Sequence, residues 1–120
     1  MADVAHRFRV LLDEGVPEAL RHAFSARVEV ATVRFCGFVG MRNGDLIRAA
    51  EPMFDVLVTV DKRLRYQQNI PARSIAVVVL DAGGTTVAHL RPLVASAEAA
   101  ILGAAPGDVV VVTDPRAPTR

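Results

Sequence analysis

The chain has 120 residues, 14 basic and 13 acidic, for a formal net charge of +1. That length holds one core rather than two, and a hydrophobic fraction of 52% excludes a disordered chain. The near-neutral charge marks no nucleic-acid binder by itself, and one cysteine, Cys36, excludes an internal disulfide.

We expect a single domain over residues 1–120. No apolar run approaches the roughly 20 residues that span a bilayer, and "MADVAHRFRV" does not read as a signal peptide. A cytoplasmic protein with no membrane association is expected. Thirteen of the basic residues are arginine and only Lys62 is lysine, which removes nearly every candidate for a catalytic lysine.

"FRVLL", Phe8 to Leu12, predicts a first strand. In "DEGVPEALRHAF", Pro17 suits a first helical position, and Leu20 and Phe24 lie four apart on one face. "VEVATV", Val28 to Val33, alternates and predicts a strand near an edge of the sheet. Phe35 to Gly44 reads as a loop punctuated by Gly37, Gly40 and Gly44.

A helix follows, with Asn43 as N-cap and Leu46, Ile47 and Ala50 on its inner face. "DVLVTV", Asp55 to Val60, is a third strand, and "DKRLRYQQN" a turn or short helix. "IAVVVL", Ile75 to Leu80, is the unbroken β-branched run of a strand covered on both faces. Arg91 to Ala105 predicts the longest helix, ended by Ala-Pro-Gly, and "DVVVVT", Asp108 to Thr113, a fifth strand.

Strands alternating with helices predict an α/β fold, three layers α/β/α around a mainly parallel sheet of about five strands. Ligands of such sheets sit beyond the carboxyl ends of the strands. Asp13 and Glu14 follow the first strand, Asp61 the third, Asp81 the fourth and Asp114 the fifth, whereas Asp55 and Asp108 begin strands at the opposite edge. Carboxylates gathered at one edge repel unless a cation neutralises them, and oxygen ligands of this kind suit Mg²⁺ or Mn²⁺. A single such residue more often caps a helix or starts a turn. Asp13 and Asp61 together, each ending a buried-looking strand, favour a site. Neighbours on an extended chain point opposite ways, so Asp13 rather than Glu14 is expected to face it with Asp61.

Two families share parts of this pattern. Paired acids after the first strand and an aspartate after the third resemble the receiver domains of response regulators. Those domains need a lysine after the fifth strand, where this chain has "VVTDP". The stretch from Val10 to Leu80, with "LLDE" and "TVDK", more closely resembles the PIN-like proteins of bacteria. That family pairs an aspartate ending the first strand with a helix-opening acid and a T-x-D turn. Here these positions fall on Asp13, on Asn43 and on Thr59 with Asp61, and Asn43 lies 18 residues before Asp61.

The resemblance implies a PIN-like Mg²⁺- or Mn²⁺-dependent ribonuclease, the toxin of a toxin–antitoxin pair, with Asp13 and Asp61 catalytic. Asp13, Asp61, Asn43 and Asp45 would hold the metal, although Asp45 is about 200° around a helix from Asn43. If Asp61 holds metal, an RNA strand would meet Lys62, Arg63, Arg65 and Arg42, and Tyr66 would stack on a base. The alternative reading is a solvated turn whose long side chains cover the sheet edge, with the Tyr66 ring packed against the domain. The implied partners are RNA and a small antitoxin protein, and a homodimer stays open. Two departures, the amide at Asn43 and no mid-helix glutamate that aligns (Glu18 and Glu29 being the candidates), give a second expectation: a non-catalytic module that binds RNA or protein. "CGFVG" and "DAGGTT" match neither a dinucleotide fingerprint nor a P-loop. Cys36 has no basic partner in sequence, and His6, His22 and His89 show no metal-ligand spacing.

Overall fold

Side chains alternate across a strand, so a strand buried on both faces is apolar at every position. A computed structural model of the chain describes residues 7–64 and 70–114, and in it this alternation sorts the core into two layers. Strands β1 (Phe8–Leu12), β2 (Val28–Thr32), β3 (Val56–Thr59), β4 (Ala76–Asp81) and β5 (Val109–Thr113) form one sheet in the order β2-β1-β3-β4-β5. Every neighbouring pair is parallel, with Val10 opposite both Val30 and Val56, and Val58 opposite Val78.

Val10, Leu12, Val56, Val58, Ala76, Val78 and Leu80 point to one face. They pack against a 3₁₀ segment (Glu18–Ala23) through Leu20, and against α3 (Val87–Leu90) and α4 (Val94–Leu102) through Leu90, Val94, Ala97 and Ile101. Leu11, Leu57, Val77 and Val79 point the other way, onto α1 (Val33–Cys36), α2 (Asn43–Ala50) and the short 3₁₀ turn Ile70–Ala72. The result is a three-layer α/β/α domain. Each fully buried Leu or Ile in these layers contributes about 1.5–3 kcal/mol of transfer free energy. Among the described residues, no helix is long and apolar enough to cross a membrane.

All five expected strands form, and the alternating second strand is one edge of the sheet, with β5 the other. The connections differ from the sequence-based expectations. The segment after Pro17 is 3₁₀ rather than α, and Pro17 precedes it instead of occupying its first position. The residues expected as loop begin with one turn of helix, α1. Thr32 caps it by accepting from the Phe35 N–H (3.1 Å), and Gly37 closes it at φ 78°, a left-handed conformation that glycine adopts without a Cβ clash. The long helix starts earlier than predicted and is broken by 3₁₀ geometry at Arg91–Leu93, because Pro92 supplies no N–H. It ends at Leu102.

β1 lies between β2 and β3, so the chain leaves it in one direction and returns on its other side. That reversal places the topological switch at the carboxyl ends of β1 and β3, where a crevice opens in sheets of this type. Asp13 and Asp61 stand there. Asp55 and Asp108 stand at the other edge, where Asp55 accepts from the Arg9 N–H (2.8 Å) and Asp108 from the Ala105 N–H (2.8 Å).

Candidate functional site at the carboxyl edge of the sheet

β3 ends on Thr59, which is fully buried, so its hydroxyl must find partners inside the protein. It donates to Asp13 Oδ2 (2.7 Å) and accepts from the Asp61 N–H (3.0 Å). The turn after β3 is thereby tied to the end of β1, and the Asp13 N–H donates to the Val58 carbonyl (2.8 Å) alongside. Glu14 turns elsewhere and accepts from the Gly40 N–H (2.9 Å). Of the adjacent acids, Asp13 is the one linked to the Asp61 turn.

The 18-residue step from Asn43 to Asp61 is a hydrogen bond: Asn43 Nδ2 donates to Asp61 Oδ2 (3.3 Å). Asn43 is not the helix cap, as the sequence had suggested. It is the first residue of α2, and Arg42 holds the cap position with no side-chain capping bond. The Asn43 amide reaches Asp61 from the first turn of its helix.

Arg63 completes the surroundings of Asp61. Its backbone N–H (3.0 Å) and Nε (3.1 Å) donate to Oδ1, and Nη2 (3.3 Å) donates to Oδ2. With Asn43, the carboxylate accepts four hydrogen bonds, two on each oxygen, which matches the acceptor capacity of an ionised carboxyl group. Hydrogen bonding from the Arg63 side chain has the largest effect on this carboxyl group. With the Arg63 N–H and the Asn43 amide it outweighs burial and holds Asp61 below its ordinary pKa.

A cleft of about 530 Å³ opens beside this carboxylate, lined by Met41, Arg42, Asn43, Gly44, Asp45, Arg48, Asp61 and Arg63. Five of the residues selected from sequence meet there: Asn43, Asp45, Asp61, Arg42 and Arg63. Asp45 reaches the cleft despite its angular separation from Asn43, because both belong to the first turn of α2, and its carboxylate pairs with Arg48. Asp13 lines a second, smaller concavity of about 240 Å³ with Glu14, Glu18 and Arg34. The two aspartates are thus joined through Thr59 but face different hollows. Lys62 pairs with Asp81 (3.0 Å) at the end of β4. Arg65 and Tyr66 lie outside the described residues.

The cleft holds three guanidinium groups against two carboxylates, and the N-terminus of the eight-residue α2 opens onto it. Both features favour an anion. Among the described residues, no three His, Cys, Asp or Glu side chains gather where they could hold one metal ion. The oxygens at hand are those of Asp61, Asp45 and Asn43. They are hard donors, and Mg²⁺ is commonly held by only one or two carboxylates with water completing its shell. The donor chemistry fits such an ion, and Arg63 now stands as the cation on Asp61.

Arg48 and Met41 complete the cleft without having been singled out in the sequence. Neither carries a motif, and only the docking of α2 beside the β3 turn brings them there. Of the two candidate glutamates, Glu18 pairs with Arg34 (3.1 Å), and Glu29 lies exposed on the edge strand β2. Cys36 is half-buried and burial pushes its thiol pKa up, which suits a packing residue better than a nucleophile.

No family model, curated protein or solved structure matches the chain.

Proposed function

We propose that the chain is a PIN-like domain that takes single-stranded RNA across the Asp61 cleft and hydrolyses it with Mg²⁺ or Mn²⁺. The observation that supports this reading is the convergence of Asn43, Asp45, Asp61, Arg42 and Arg63, from two separate segments, on one cleft at the switch point of the sheet. Asp61, Asp45 and the amide oxygen of Asn43 would hold the ion, and Asp13 would fix the Asp61 turn through Thr59. The ion would supply an activated water and neutralise charge on the phosphodiester. Arg42 and the first turn of α2 would hold phosphate oxygens without reading sequence. In a toxin–antitoxin pair, a small antitoxin protein would act by covering this cleft.

Cleavage of a fluorescent single-stranded RNA tests the reading. It should require Mg²⁺ or Mn²⁺, stop in chelator, and fall at least about 100-fold in Asp61→Asn, a loss typical of a group acting directly in catalysis. Full activity in Asp61→Asn, or activity persisting in chelator, overturns it.

A specific observation favours a second reading, a module that binds RNA without cutting it. Asp61 already accepts four hydrogen bonds, and the cleft is positive in balance. Under this reading RNA binds equally well in chelator, its affinity falls steeply with salt, and Arg42→Gln weakens it.

A further inference from the structure

A carboxylate with both oxygens fully engaged cannot take a metal ion until one partner leaves. On Asp61 the partners are unequal. The Arg63 N–H belongs to the turn that follows β3, and Asn43 is fixed in the first turn of α2. The Arg63 guanidinium, by contrast, ends a long side chain that is 77% exposed. It supplies two of the four hydrogen bonds and the positive charge.

We propose that Arg63 is a built-in counter-ion of Asp61, and that a divalent cation enters the cleft only by exchanging with its guanidinium. The inference rests on the metal-binding reading above and adds what regulates that site. An exposed ion pair is weak and screened by water, so the exchange is open to an ion at millimolar concentration. The backbone bond from Arg63 to Oδ1 survives a swing of the side chain, so the turn stays formed while the carboxylate is released. The displaced guanidinium remains on the rim of the cleft, where a phosphate oxygen is its natural next partner. The same contact neutralises the Asp61 charge, as Arg48 does that of Asp45.

Calorimetric titration with Mn²⁺ alone, comparing wild type, Arg63→Gln and Arg42→Gln, tests the exchange. Both variants lose one positive charge from the cleft, but only Arg63→Gln removes the guanidinium bond from each Asp61 oxygen. Thermal unfolding in chelator first checks that the variants fold, which the exposure of Arg63 leads us to expect. Arg63→Gln should bind Mn²⁺ about fivefold tighter than wild type, the scale of one exposed ion pair, and Arg42→Gln should gain clearly less. Equal gains in the two variants overturn the inference, since general charge removal then explains both. Unchanged affinity in Arg63→Gln overturns it too, while leaving the metal-binding reading in place. No binding by any of the three up to millimolar Mn²⁺ overturns both.

Discussion

Replacing Asn43 by aspartate would put a carboxylate where the PIN-like pattern has an acid, and the structure says what that costs. The Asn43 amide now donates to Asp61 Oδ2 over 3.3 Å. Asn43→Asp removes that donor, a loss of about 1 kcal/mol, and sets a second negative oxygen against the first. At about 3.3 Å two unit charges repel by roughly 1 kcal/mol in water and roughly 5 kcal/mol at an effective dielectric of 20. The Asp61 side chain is 23% exposed, between those limits, and the Arg63 fork offsets part of the repulsion. A net loss of about 1–3 kcal/mol at pH 7 follows.

Urea unfolding in chelator measures it. The loss should be present while both carboxylates are ionised. It should fade as pH falls and one of the pair takes up a proton, because like charges push that titration upward. Millimolar Mn²⁺ should stabilise Asn43→Asp more than wild type, as the added carboxylate becomes a ligand. A variant as stable as wild type at pH 7 in chelator would show that the amide is not turned toward Asp61, and the cleft geometry would have to be redrawn.

Two stability predictions concern residues away from the cleft. Glu98, on α4, is buried and accepts from the Ser25 N–H (2.8 Å), the Ser25 hydroxyl (2.5 Å) and Arg27 Nη2 (3.0 Å), pinning the loop before β2. Glu98→Gln turns one acceptor into a donor facing donors and should cost about 1–3 kcal/mol in urea at pH 7. Burial raises the Glu98 pKa, but the Ser25 and Arg27 bonds together outweigh it and leave the group below its ordinary 4.5. The stabilisation is therefore complete above about pH 4.5 and lost as pH falls further, so the gap between variant and wild type should close in acid. Gly37 and Gly107 both have positive φ, but a Cβ at Gly107 would come within 2.8 Å of the Pro71 carbonyl oxygen, whereas at Gly37 it would meet nothing. Gly37→Ala should cost about 1–2 kcal/mol from the backbone alone, and Gly107→Ala about 2–4 kcal/mol. Equal shifts in the urea midpoint would contradict that contact.

Much of the site was visible before folding was considered. Asp61 and Asp13 stand out because a carboxylate ending a buried apolar run must lie at the rim of the sheet. The pairing of Asp61 with Arg63 also has a signal in the sequence. An aspartate in a turn commonly accepts from the N–H two residues on, which draws that residue's side chain close. In sequence Lys62 and Arg63 read as reaching toward RNA, and it is the fold that shows each held by a carboxylate, Asp81 and Asp61. Glu98 also left a trace, since Val94, Ala97, Glu98 and Ile101 follow helical spacing and the acid falls on the apolar face.

The sequence by itself determined the five strands, their order along the chain and that the sheet is covered on both faces. Those follow from local patterning: a strand covered on both sides has to be apolar throughout, and glycine and proline mark where it stops. The helices between strands were less legible, since turns this short are set by capping and by space, as at Thr32, Gly37 and Pro92. Only the tertiary structure decided which acids share a hollow. Asp61, Asn43 and Asp45 meet because α2 docks its first turn beside the end of β3, while Asp13 faces away across Thr59. The distance between side chains on different elements is fixed by packing, and no spacing along the chain encodes it.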